Sequence, residues 1–183
     1  VGFSIDYRAM LELNDGSVLF SLAEGIKESM NHRGGTIRAV HSGRTFDYEV
    51  VQDNKRLPFH SRGFAQQTDG RLWSIWDMLT WWLKEEPPAV PVPNEDIRGR
   101  FVEAVAVGPT DELWVSKRGG GVFRYDGKRW SNYSTEDGLV ANVAALWCAP
   151  DSTVWAAGDA GLSRFDGNQW STPAIPKFPG IKI

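Results

Sequence analysis

Cysteine is nearly missing from this chain. Cys148 is the single thiol in 183 residues, so no internal disulfide and no cysteine-rich zinc site can form. Long hydrophobic runs are missing too: no stretch nears the roughly 18 apolar residues that a membrane-spanning helix needs. Neither sign of charge dominates. A net charge of −3 leaves no basic footprint for nucleic acid. Histidine is scarce, and His32, His41 and His60 sit apart with no HExxH and no carboxylate at ligand spacing, so no metal site is expected. There is no GxSxG elbow and no GxxxxGK[ST] phosphate loop, and no cofactor is expected. An initiator Met and a signal-peptide pattern are also lacking at VGFSIDYRAM. The expectation is a mature form or an excised or internal piece whose targeting signal lies outside this chain.

What is abundant points elsewhere. The 42% apolar and 23% charged content suits a folded chain rather than a disordered one. Nine Trp, nine Phe and 19 Gly suggest many tight turns joined by aromatic-rich strands.

The aromatics are periodic. Trp73, Trp114 and Trp155 follow one another at 41 residues, each ending a similar phrase: TDGRLW, PTDELW and PDSTVW. Gly121, Asp126 and Trp130 recur 40 residues on as Gly161, Asp166 and Trp170. A weaker copy, NDGSVLF (14–20), opens the chain, its spacing to the next copy about a dozen residues too long. Fixed-period self-similarity marks a repeat architecture. The unit from 102 reads as four short strands: VEAVAV (102–107), LWVS (113–116), VFRY (122–125) and RWSNY (129–133). RGGG allows positive φ between the second and third, and Asp126-Gly127 is expected to form a two-residue type I′ turn between the third and fourth. Four antiparallel strands per unit of about 40 residues is the signature of a β-propeller blade. No unit holds a sustained helical periodicity. Trp114, Phe123, Tyr125 and Trp130, answered by Trp155, Ser163, Phe165 and Trp170, are expected to fill the wedges between blades.

The phrase DGLVANVAALWCAPDSTVWAAGDAGLSRFDGNQW (137–170) resembles the two-component regulator propeller repeat, DGL-x-x-N-x-V followed by D-x-x-G-x-LW-x-G-T-x-x-GL-x-R-[YF]-DG-x-x-W. The likeness is clear over 102–172, partial over 61–82 and faint before. The usual LW-x-G-T is replaced by LWVSK and VWAAG, and WDMLTWW stands where the second copy should carry its glycine pair. The resemblance implies an all-β fold of about four blades within a larger propeller. It also implies a periplasmic or otherwise extracytoplasmic sensor segment of a bacterial signalling protein, one that binds rather than catalyses.

The expected units are 1–60, an irregular first blade or edge cap; 61–101, a second blade with a proline-rich connection at 85–96; 102–142; and 143–183, a fourth blade with the start of a further strand. SLAEGIKESMNHRGG allows a short helix ending at Gly34-Gly35. MLTWWLKEE fits a strand or a short helix equally. Cys148, in VAALWC, reads as a small buried hydrophobe rather than a nucleophile.

Propeller ligands gather where the loops between blades and between second and third strands meet the central channel. Those loops are 94–100, 117–120, 136–142 and 158–160, joined by Trp76 and Asp77 of the second copy. Arg98, Arg100, Lys117 and Arg118 would form a cationic cluster near Asp77, Asn142 and Asp159, suited to carboxylates or an acidic sugar. The leading expectation is therefore a non-catalytic recognition domain for a small molecule or glycan. A protein-binding scaffold, with Trp81-Trp82 exposed, is the alternative. A propeller lyase or sugar-active enzyme comes third. No nucleic acid and no membrane contact are expected within this segment.

Overall fold

The computed structural model describes residues 5–22, 35–42, 45–50, 61–75, 79–82, 90–91, 97 and 101–173. These form sixteen strands in four antiparallel sheets. The first holds β1 (Ile5–Glu12), β2 (Val18–Leu22), β3 (Gly35–Ser42) and β4 (Thr45–Val50). The second holds β5 (Gly63–Gln66), β6 (Leu72–Ile75), β7 (Leu79–Trp82) and β8 (Val90–Pro91). The third holds β9 (Val102–Val107), β10 (Leu113–Lys117), β11 (Gly121–Tyr125) and β12 (Trp130–Tyr133). The fourth holds β13 (Ala145–Cys148), β14 (Val154–Gly158), β15 (Gly161–Phe165) and β16 (Trp170–Ser171). Strand order follows chain order in every sheet, the meander of a propeller blade. The chain is all-β and blade-built, and it divides into two compact units, Val1–Pro93 and Asn94–Ile183.

One turn explains the tryptophan phrase. The Leu13, Gln67, Gly108 and Ala149 N–H groups donate to the carbonyls of Ser17, Arg71, Glu112 and Thr153, at 2.7 to 3.0 Å. Each closes a three-residue hairpin loop whose last residue must be left-handed. That residue is Gly16 (φ 78°), Gly70 (87°), Asp111 (67°) or Ser152 (67°), always three before the Trp position. Leu19 holds that position in the first sheet and is fully buried, like Trp114. An acid and a small polar group brace most copies of the loop. Asp15 accepts from the Ser17 hydroxyl at 2.5 Å and Asp151 from the Thr153 hydroxyl at 2.7 Å. In the third blade the roles are exchanged, and Glu112 accepts from the Thr110 hydroxyl at 2.5 Å and from Trp114 Nε1 at 3.3 Å.

The Asp-Gly turn departs from the expected type I′. Tyr125 pairs with Trp130, so β11 and β12 are joined as the sequence suggests, but the loop spans Asp126 to Arg129. Gly127 has φ 91° while Asp126 and Lys128 do not enter the positive-φ region, so the central pair is Gly127-Lys128 with the sign pattern of a II′ turn. Asp126 is free to do something else: its Oδ1 accepts the N–H groups of Lys128 at 2.8 Å and Arg129 at 2.7 Å. Asp166 repeats this with Asn168 and Gln169, both at 2.9 Å. The proline-rich connection supplies β8, a two-residue strand at the sheet edge, where a missing N–H costs no ladder bond. MLTWW resolves as strand β7. The expected helix ending at Gly34-Gly35 falls largely on 23–34, outside the described residues, between β2 and β3.

Within each unit one sheet turns its Trp-position face, here the forward face, onto the rear face of the next. In unit 1, Ala9 and Leu19 of the first sheet cluster with Phe64 and Leu72 of the second. In unit 2, Trp114 and Val122 of the third cluster with Val154, Ala156, Phe165 and Trp170 of the fourth. Trp114 meets Phe165 edge-on at 5.3 Å and Trp170 at 6.0 Å, and stacks on Tyr133 at 5.9 Å. The DGL-x-x-N-x-V phrase drives three more plugs into the same seam, Leu139, Val140 and Val143. Trp155 has the register of Trp114, each opposite an arginine (Arg164 and Arg124). Yet Trp155 is only half-buried, because its forward face is not covered by a described sheet.

Candidate functional site

At one end of unit 2 the loops of two consecutive blades enclose a polar hollow of about 320 Å³ lined by Glu103, Arg118, Asn142, Ala144 and Asp159. The residues are repeat equivalents. Glu103 and Ala144 are 41 apart, each near the start of a first strand, and Arg118 and Asp159 are 41 apart, each just after a second strand. Backbone bonds fix both loops, since Arg118 N–H donates to Phe101 O at 2.9 Å and Asp159 N–H to Ala141 O at 3.2 Å. Gly158 lies beneath, where a Cβ would stand 2.2 Å from Ala141 O. Only glycine fits there.

Charges in the hollow pair across it. Arg118 meets Glu103 at 2.6 Å, the guanidinium 63% exposed and the carboxylate 15%. Asn142 Nδ2 donates to Asp159 Oδ2 at 2.7 Å. Asn142 has φ 50°, and its repeat equivalent Phe101 has φ 79° while 55% exposed. An aromatic residue held left-handed is a genuine outlier, and such strain concentrates at functional positions. A guanidinium, two carboxylates, an amide and a nearby open aromatic can grip a polar ligand carrying both charge signs through charge-assisted hydrogen bonds.

The structure thus brings three expected residues, Arg118, Asn142 and Asp159, to one hollow. Lys117 turns its aliphatic stem along Gly120, 3.3 Å from where a Cβ would be, and does not line it. Trp76, Asp77, Arg98 and Arg100 lie outside the described residues, as does the paired exposure of the Trp81 and Trp82 side chains. The hollow is mixed in charge, because Glu103 answers Arg118. Sequence reading missed Glu103 and Phe101. Alternation along VEAVAV marks Glu103 as a polar residue at a channel-end strand start, but nothing local indicates its partner 15 residues on.

Elsewhere, burial first and the Glu112 carboxylate second push the Cys148 thiol up to about 12. It packs against the aromatic seam, the environment of an inert thiol. No group of three or more potential metal-ligating side chains occurs among the described residues. No described helix is long and apolar enough to cross a membrane.

No family model matches the chain. It is 28% identical over 108 residues to the immune protein Tsi7 of Pseudomonas aeruginosa, a match covering 58% of this chain and 34% of that protein. The fold is similar to the extracellular domain of the hybrid two-component system BT4673 of B. thetaiotaomicron, at TM-score 0.63 and 16% identity over 91% of this chain and 24% of that one. It is also similar to YCF48 bound to D1 peptide, at TM-score 0.50 and 19% identity over 87% of this chain and 50% of that one. The chain spans about a third of the curated relative and a quarter of the extracellular domain.

Proposed function

We propose that this chain is a non-catalytic recognition segment of a β-propeller, belonging to an extracytoplasmic sensor of bacterial signalling and related to the two-component regulator propeller repeats. It binds a small polar molecule or acidic glycan in the loop-end hollow. One observation carries the reading: equivalent positions of consecutive blades supply the lining, so binding groups are presented by the repeat itself. The likeness to the BT4673 extracellular domain supports the sensor setting. The Arg118–Glu103 and Asn142–Asp159 pairs support binding over turnover, since each polar group is held by another and a ligand is admitted by exchange of partners.

The test is a thermal-shift panel of zwitterionic amino acids, acidic sugars and neutral glycans. A true ligand at a hundredfold excess over its Kd stabilises by about 2.7 kcal/mol, and Arg118→Ala should erase that shift. A panel that moves neither wild type nor variant, or a shift that survives Arg118→Ala, overturns the assignment. A protein partner is the second reading, favoured by the exposed, strained Phe101, by the peptide held by YCF48 and by the immune-protein relative. Phe101→Ala should then weaken a captured protein partner while leaving small-ligand shifts unchanged.

A further inference from the structure

Both units build their seam in one way, a forward face against the next rear face. Two faces of the same kinds stay open. On the forward face of the fourth sheet, Trp147 is 59% exposed opposite the half-buried Trp155. On the rear face of the first sheet, Met10 is 58% and Tyr48 66% exposed. Period-2 alternation puts Met10, Val18, Phe20, Ile37, Ala39 and Tyr48 on that one rear face.

Register makes the two faces comparable with the seam already formed. In the fourth sheet Val154 pairs with Phe165, which pairs with Trp170; in the first, Val18 pairs with Ala39, which pairs with Tyr48. Leu146 opposite Ala156 corresponds to Met10 opposite Phe20. The rear face of the first sheet therefore has the plan of a seam-forming face, with alanine in place of Phe165. The forward face of the fourth sheet has the plan of the third, with Trp147 in place of Ala106. Ala106 and Phe165 belong to one cluster in the existing seam. The open faces exchange this pair, large for small and small for large, which conserves volume where close packing demands it.

We propose that these faces dock on each other between two copies of this chain, the fourth sheet of one against the first sheet of the next. The joint continues the seam geometry found within each unit and buries Trp147 against the Ala39 side of the first sheet. It joins unlike faces, so each added copy leaves one of each kind open, and the assembly either closes into a ring or extends.

Sedimentation over a wide concentration series of the full chain tests this. The wild type should exceed its 20.4 kDa chain mass increasingly with concentration. Trp147→Lys and Tyr48→Glu should each stay at the chain mass, since each spoils one face. Mixed together, they should form a dead-end pair of twice that mass, because each retains the face the other has lost. Both substituted residues are open to solvent, and circular dichroism checks that the sheets persist; Trp147→Ala and Tyr48→Ser replace them if either variant unfolds. A wild type that stays at 20.4 kDa throughout, or a variant mixture that forms no pair, overturns the proposal.

Discussion

The two units solve the same packing problem with different side chains. Unit 1 closes its seam with Leu19, Leu72, Phe64 and Ala9, and lays a polar thread through it: Ser61 N–H donates to Ser21 Oγ at 3.1 Å, and Ser61 and Ser74 share a hydroxyl bond at 2.7 Å. Unit 2 closes its seam with interlocked rings of Trp114, Tyr133, Phe165 and Trp170. The backbone turn before the seam is the same in both. What the repeat fixes is the left-handed turn residue and the buried position three residues later. The size of the plug is left to its partners across the seam.

Truncating the plugs tests that difference most strongly. Trp114→Ala should cost about 4 kcal/mol and Leu19→Ala about 2.5 kcal/mol, the larger ring leaving the larger cavity. Hydrogen exchange, which reads local opening, should place each loss in its own unit. Equal costs would mean that the aromatic seam adds nothing over the aliphatic one.

The shared turn gives smaller effects of opposite sign. Gly70→Ala puts a Cβ on a left-handed residue of unit 1 and should cost about 1 to 2 kcal/mol. Ser152→Gly relieves the same conformation in unit 2 but loosens the unfolded chain, for a net gain of about 0.5 kcal/mol in denaturant unfolding. Two losses would show that the Ser152 side chain stabilises its loop beyond the strain it bears.

The smallest effect is acid sensitivity. The Arg129 and Lys128 amides hold the Asp126 carboxyl below its ordinary 3.8, and the Gln169 and Asn168 amides do the same for Asp166. Their stabilisation is complete above that ordinary value and fades as pH falls through the lowered folded one. Asp126→Asn with Asp166→Asn should therefore flatten the decline in melting temperature below about pH 4, most visibly in unit 2. An unchanged decline would place the acid-sensitive groups elsewhere.

Much of the third and fourth blades was legible in the sequence. VEAVAV is β9 to the residue, and the glycine, Asp-Gly and tryptophan marks lie at the turns and seams they suggested. Local pattern carries such elements because alternation and turn chemistry act over a few residues. The position of the II′ turn was not legible, since Asp-Gly serves both as a central pair and as a flanking Asx acceptor with glycine inside. Nor was the Glu103–Arg118 pair, which depends on the register of β9 against β10 and on a bulge between Ser116 and Lys117. The half-burial of Trp155 depends on what lies over its sheet, information that no residue of the phrase itself contains.

The left-handed glycine or its substitute, the plug and the seam all lie away from Glu103, Arg118, Asn142, Ala144 and Asp159. Selection can therefore rewrite the lining one blade at a time while the scaffold beneath keeps its geometry. A family of such chains would be expected to vary most at these loop-end places, and a designer could graft new specificities there without repacking a single strand.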